Sequence, residues 1–191
     1  MALSKRFDDA LVLASELHRE QTRKGSNVPY ISHLLGVASL VIEHGGDEDE
    51  AIAALLHDAV EDQGGLPTLE RIREMFGEGV AEIVAGCTDA VTEPKPAWRG
   101  RKEAYIRHIR EEATPSIRFV SCADKLHNAR AILNDYREHG DALWDRFNAD
   151  VDQLLWYYRS LADAFMETAD HALARELDRV VREIEAEYRE R

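Results

Sequence analysis

The residues best equipped for chemistry stand at the end of an apolar run, in the stretch AALLHDAVEDQGG at 53–65. His57 and Asp58 are followed about one helical turn later by Glu61 and Asp62. Helical residues three or four apart share a face. His57 with Glu61, Asp58 with Asp62, and Asp58 with Glu61 therefore project into one narrow region. Burying ionised carboxylates without partners costs several kcal/mol. A divalent cation offsets that cost, and imidazole together with carboxylate oxygens suits Mn, Fe, Zn or Mg. A frayed, solvated helix end explains the same letters, so this stretch alone leaves both readings open.

Two further residues bear on the choice. His33, in PYISH, falls in the early turns of a second helical pattern, and Asp124 interrupts the core-like run IRFVSCADKL at 117–126. A buried aspartate needs a partner. A local ion pair with Lys125 or Arg130 is one answer, and a metal shared with the histidines is the other.

The elements that must position these groups read as helices nearly throughout. Phe7, Ala10, Leu11, Leu13, Ala14 and Leu17 mark one face of a first helix running to about Thr22. RKGSNVPY at 23–30 breaks it with Gly25 and Pro29. A second helix spans about Ile31 to His44, and a third about Glu48 to Asp62, ending at Gly64-Gly65. Pro67-Thr68 opens a short fourth helix with Thr68 as its expected N-cap. Another covers about Glu78 to Asp89, and AVTEPKPAWRGR at 90–101 is the strongest loop signal. A basic helix follows from Arg101 to Glu111. TPS then opens a long helix through Asp124 to Tyr136, with further helices near 141–168 and 170–190. No strand, repeat or low-complexity segment stands out. The expectation is an all-α bundle of about eight to nine helices, with a domain at 1–168 and a C-terminal amphipathic helix at 169–191. The stripe Leu173, Leu177, Val181, Ile184 and Tyr188 on that last helix packs either on its own domain or on a second copy in a homodimer.

Composition narrows the partners. Against 37 Asp and Glu stand 24 Lys and Arg, a formal charge of −13, which argues against nucleic acid while leaving room for a small phosphorylated ligand at a local basic cluster. Cys87 and Cys122 lie far apart and in apolar surroundings, consistent with buried thiols rather than zinc or a disulfide framework. No apolar run approaches the ~20 residues that span a bilayer, and the N-terminus carries charges throughout. No membrane partner and a cytoplasmic setting follow as expectations.

The order H…HD…D, here His33, His57-Asp58 and Asp124, resembles the HD superfamily of metal-dependent phosphohydrolases. More narrowly, HREQTRKGSNVPYISH, ALLHDAVEDQ, FGEGVAEIVAGCTD, RGRKEAYIRHI and CADKLHNAR occur in the order seen in the hydrolase domain of the RelA/SpoT family and the small alarmone hydrolases. The resemblance covers about residues 7–165. It implies that His33, His57, Asp58 and Asp124 hold one Mn²⁺, with Mg, Fe or Zn as other candidates, and that Glu61 and Asp62 position and deprotonate the attacking water. It further implies that Arg23 and Lys24 line a nucleobase, that Asn128 sits by the ribose and phosphate, and that Arg101, Lys102 and Arg146 meet phosphates. The implied reaction removes the 3′-pyrophosphate of (p)ppGpp-like nucleotides. Without a synthetase domain among these 191 residues, the expected role is degradation alone.

Two departures stand out: Leu34, where the family often has proline, bears on the helix start rather than on a ligand, and QGGLP after Asp62, where threonine is usual, bears on the rim of the site. Two other functions stay open. The same site could act on an adenosine alarmone such as (p)ppApp, a nucleoside monophosphate or NADPH, or the chain could be a non-catalytic nucleotide-binding sensor. His18 reads as a supporting group rather than a ligand, and His127 equally as a supporting donor or a surface histidine. Within LLWYYRS, the tyrosines Tyr157 and Tyr158 read as core, with one of them near the ligand.

Overall fold

The computed structural model describes residues 2–89, 96–168 and 171–190. Residues 90–95, in the expected proline-bearing loop, lie outside the described residues. The ordered elements are α1 (Lys5–Leu17), α2 (Ile31–Glu43), α3 (Glu48–Leu56), α4 (Ala59–Asp62), α5 (Leu66–Phe76), α6 (Glu78–Cys87), α7 (Trp98–Glu111), α8 (Pro115–His139), α9 (Val151–Thr168) and α10 (Ala172–Arg189). A 3-10 segment, Gly140–Arg146, joins α8 to α9. Among the described residues the only β pairing is an isolated bridge between Thr22 and Pro29, so the all-α expectation holds.

The long α8 is the axis of the molecule. Thr114 caps its start by accepting from Ile117 N–H, and Pro115 occupies the first turn, where no backbone donor is needed. Its buried residues occur all around the helix, from Ile117 and Val120 through Cys122, Leu126 and Ala129 to Leu133 and Tyr136. A helix apolar on every side has to be surrounded, and α8 touches α2, α3, α6, α9, α10 and the 3-10 segment. α3 is likewise buried from Ala51 to Leu56 and packs on α1, α2, α6 and α8. These two helices deliver Asp124 and the His57-Asp58 pair to the centre of the molecule.

Several boundaries differ from the expectation: α1 ends at Leu17 rather than about Thr22, and the helix expected near 141–168 is the 3-10 segment Gly140–Arg146 followed by α9 from Val151. The helix expected over 48–62 breaks at His57-Asp58, because the Ala54 carbonyl accepts from His57 Nδ1 at 2.8 Å instead of continuing the backbone ladder. α5 starts one residue before Pro67, with Gly65 at the N-cap position. Thr68 instead lies in its first turn, donating from Oγ1 to the Gln63 carbonyl at 2.6 Å. α7 begins at Trp98 rather than Arg101, which places Arg101 and Lys102 inside a helix rather than at its start.

Along α10, Leu173, Leu177, Val181 and Ile184 are buried against α8 and α9 of the same chain. Arg130 pairs with Glu176 at 2.5 Å, Arg159 with Asp178 at 2.5 Å and Arg137 with Glu187 at 2.6 Å, tying the helix down along its length. Half-exposed pairs of this kind contribute about 0–1 kcal/mol each, so the apolar stripe dominates the docking.

Candidate active site

His33 from α2 and His57 from the end of α3 point their Nε2 atoms at each other, 3.3 Å apart, and both rings are buried. Asp58 Oδ2 lies 3.0 Å from His57 Nε2 and 3.5 Å from His33 Nε2. The ligand atoms of these three residues fall within 4.8 Å of one another. Asp124 Oδ1, from the middle of α8, completes the group at 3.2 Å from His33 Nε2 and 3.5 Å from His57 Nε2.

Each donor is held from behind. His57 Nδ1 donates to the Ala54 carbonyl, which turns Nε2 inward. His33 Nδ1 lies 2.9 Å from Nδ1 of His127, whose pKa is lowered to about 4 by burial and by the neighbouring His33 and Arg23. A neutral His127 can accept a hydrogen bond from His33 Nδ1–H, which leaves His33 Nε2 to face the cluster. Tyr30 donates from its hydroxyl to Asp58 Oδ2 at 2.6 Å. Burial, reinforced by the Asp58 charge, raises the phenol pKa and keeps the donor in place. Asp124 accepts from Asn128 Nδ2 through Oδ1 and from Lys125 Nζ through Oδ2, both at 2.6 Å.

The electrostatics of this cluster favour a cation at its centre. Burial, the largest effect on His57, disfavours its charged form, yet Asp58 and Asp124 together hold its pKa well above the usual value. Burial likewise opposes ionisation of Asp58, and His57 and His33 outweigh it, holding the carboxyl well below its usual value. With a cation in place of the proton that Asp58 and Asp124 otherwise favour on His57, two imidazole Nε2 atoms and two ionised carboxylates in a buried space form a donor set that fits a divalent metal ion. The Lys125 ion pair left open above for Asp124 is present as well: it occupies Oδ2, while Oδ1 faces the histidines.

Glu61 and Asp62 are carried on α4, immediately beyond the break at His57-Asp58. Asp62 Oδ2 accepts from Gln21 Nε2 at 2.8 Å. Four of the six expected nucleotide contacts, Arg23, Lys24, Asn128 and Arg146, line one cavity of about 250 Å³. Tyr30, Asp135, Phe147 and Tyr158 share its wall. Tyr30 and Asn128 also hold Asp58 and Asp124, so this cavity adjoins the metal cluster. Arg23 donates to Asn128 Oδ1 at 2.8 Å, Lys24 to Asn148 Oδ1 at 3.0 Å and Arg146 to Asp135 Oδ2 at 3.1 Å. The loop bearing Arg23 and Lys24 is closed by Arg23 N–H to Val28 O and Tyr30 N–H to Gln21 O.

Arg101 and Lys102 do not line that cavity. Both bind Asp89, just beyond the end of α6, with Arg101 Nη1 at 2.7 Å from Oδ1 and Lys102 Nζ on Oδ2. Lys102 also lies over the Tyr157 ring at 4.9 Å and within electrostatic reach of Glu61. Sequence reasoning missed Tyr30 as the partner of Asp58 and Gln21 as the partner of Asp62. Tyr30 stands in the quoted PYISH and could have been weighed. Asn148 and Asp135 carry no local signal at all.

A family model described as an HD domain matches residues 10–151. The guanosine-3′,5′-bis(diphosphate) 3′-pyrophosphohydrolase MESH1 of Xenopus tropicalis is 40% identical over 133 residues, which cover 65% of this chain and 71% of that relative. The bifunctional (p)ppGpp synthase/hydrolase SpoT of Escherichia coli (strain K12) is 33% identical over 133 residues, spanning 67% of this chain but only 18% of SpoT. Among solved structures, a metazoan ortholog of SpoT, described as hydrolyzing ppGpp and playing a role in starvation responses, superimposes with a TM-score of 0.78 at 26% identity. That match covers 96% of this chain and 98% of the other. The lmo0812 protein of Listeria monocytogenes EGD-e matches at TM-score 0.70 and 28% identity, over 80% of this chain and 97% of its own. The likeness extends over the whole helical arrangement, and this chain belongs to the HD-domain family.

Proposed function

We propose that the protein is a Mn²⁺-dependent hydrolase that removes the 3′-pyrophosphate from (p)ppGpp-like nucleotides. The observation that carries this reading is the adjacency of a buried two-histidine, two-aspartate cluster to a cavity lined by Arg23, Lys24, Asn128 and Arg146. The similarity to MESH1 and to the ppGpp-hydrolysing SpoT ortholog supports the same choice of substrate.

In this reading His33, His57, Asp58 and Asp124 hold the ion. The chemistry such an ion supplies is Lewis acidity, which activates water near neutral pH and draws charge from a phosphoryl oxygen. Glu61 and Asp62 orient the attacking water and take its proton. The water oxygen bonds to the phosphorus attached to the ribose 3′ oxygen. The bond from that phosphorus to the 3′ oxygen breaks and the oxygen leaves as a hydroxyl, giving GDP or GTP and pyrophosphate. Arg23 and Lys24 flank the base, Asn128 lies by the ribose, and Arg146 faces a phosphate. Lys102 lies within electrostatic reach of Glu61, and with Arg101 beside it offsets negative charge that builds on the pyrophosphate.

The test is pyrophosphate release from ppGpp by the Mn²⁺-loaded protein. Changing Glu61→Gln together with Asp62→Asn abolishes turnover and leaves Mn²⁺ bound, whereas His57→Ala loses both. Absence of turnover on every 3′-pyrophosphorylated nucleotide in a panel, with guanine and adenine members, overturns the proposal.

A further inference from the structure

His18 sits at the C-terminal end of α1, 2% exposed. Its ring face stacks on Tyr30, with centroids 5.2 Å apart and planes within 17°. Its Nδ1 lies 2.7 Å from Gln21 Oε1. An amide oxygen only accepts, so this nitrogen carries the proton. Gln21 Oε1 also accepts from Gln63 Nε2 at 2.6 Å, while Gln21 Nε2 donates to Asp62 Oδ2. On the other side of the ring, Tyr30 donates to Asp58 Oδ2.

These contacts form one unbroken line: Asp58, Tyr30, His18, Gln21, Asp62. One end is a metal-cluster carboxylate and the other is a carboxylate assigned to the water. The polar hydrogens along the line agree. Tyr30 and Gln21 each present a donor to a carboxylate, and the His18 proton fixes which way the Gln21 amide faces. Reversing that amide would set its oxygen against Asp62 and its nitrogen against a proton on His18. Burial also lowers the His18 pKa, which keeps the ring neutral. His18 Nε2 is buried without a hydrogen-bond partner. An apolar ring would stack on Tyr30 without leaving such an atom, so the histidine is explained by its Nδ1 contact rather than by packing.

We propose that His18 is a positioning residue that locks Gln21, and through it Asp62, in register with the metal-cluster carboxylate Asp58. This inference rests on the hydrolase reading above. The contribution is geometric: supporting partners of this kind are worth about 10- to 100-fold in activity.

The experiment is steady-state kinetics of the Mn²⁺-loaded protein on ppGpp, with Mn²⁺ affinity measured in parallel by calorimetry. His18→Phe keeps the stack on Tyr30 and removes the Nδ1 donor. Gln21→Leu removes the same link from a half-buried position, so it reports even where the buried substitution fails to fold. Each variant is expected to lower kcat about 10- to 100-fold with KM and Mn²⁺ affinity unchanged. The double variant should fall no further than Gln21→Leu, because both changes cut one connection. Tyr30→Phe should instead weaken Mn²⁺ binding. A parent protein that turns over while both variants match its kcat overturns this inference alone, as does a double variant whose losses multiply. A parent without turnover overturns the hydrolase reading and this inference with it.

Discussion

At the residue scale, the two-histidine, two-aspartate cluster depends on atoms outside it. Gly36, on α2, shows this. An ideal Cβ at that position would lie 2.3 Å from His127 Nε2, so only glycine lets the His127 ring come back against the helix and meet His33. Gly36→Ala should therefore move His127 off His33 and weaken Mn²⁺ binding by about 10- to 100-fold. Alanine favours helix over glycine by about 1 kcal/mol, so the loss should appear in calorimetric metal titration without a matching drop in thermal stability. An unchanged affinity would remove His127 from the support of the site. Gly25 makes the same point beside the cavity lined by Arg23, Lys24 and Arg146. At φ +74° it occupies the left-handed region, and a Cβ there would lie 2.5 Å from Arg146 Cδ. Gly25→Ala should raise KM for ppGpp through displacement of Arg146, as measured by initial rates, and a KM equal to the parent's would detach Arg146 from binding.

At the scale of elements, α6 and α7 are joined across the site by Asp89 with Arg101 and Lys102. Burial, the largest effect on Asp89, opposes its ionisation, yet Lys102 and Arg101 outweigh it and hold the carboxyl below its ordinary value of 3.8. A depressed folded-state pKa stabilises the fold above the unfolded value. That contribution is fully present at neutral pH and is lost as pH falls from 3.8 through the lower folded value. Asp89→Asn should cost about 3–5 kcal/mol at neutral pH, because it leaves two largely buried cations unpaired. The gap between variant and parent in urea denaturation should narrow below pH 3.8. A gap of constant size across that range would show that the pair contributes nothing through ionisation.

For the whole molecule, the cluster sits where α2, the end of α3 and the middle of α8 converge, so under the proposed function binding the ion and holding the bundle together are one problem. A ligand that binds only the folded state stabilises by about 2.7 kcal/mol at 100 times its Kd. For a chain of this size that is a rise in melting temperature of roughly 5–10 °C. Calorimetric melts with increasing Mn²⁺ should show it, with chelator reversing the shift and His57→Ala abolishing it. A melting temperature indifferent to metal in the parent protein would contradict the assignment of the cluster. Among the described residues no helix is long and apolar enough to cross a membrane.

Much of this was legible in the letters, because helical periodicity and ligand spacing are local properties. The apolar rows of α1, α3 and α8, the His57-Asp58 pair and the acidic pair after it each lie within a few turns of chain, where physical proximity follows from i,i+3 and i,i+4 geometry, whereas His33 and Asp124 join that pair only in the fold. The same locality explains the misplaced helix boundaries, since a side chain such as His57 can take a carbonyl from the backbone ladder. What only the tertiary structure decided are contacts between residues 40 or more positions apart. Gln21 meets Asp62, His33 meets His127, and Arg23 meets Asn128. No periodicity encodes such pairs, because they exist only once burial of the apolar faces has brought the helices and their loops to fixed positions.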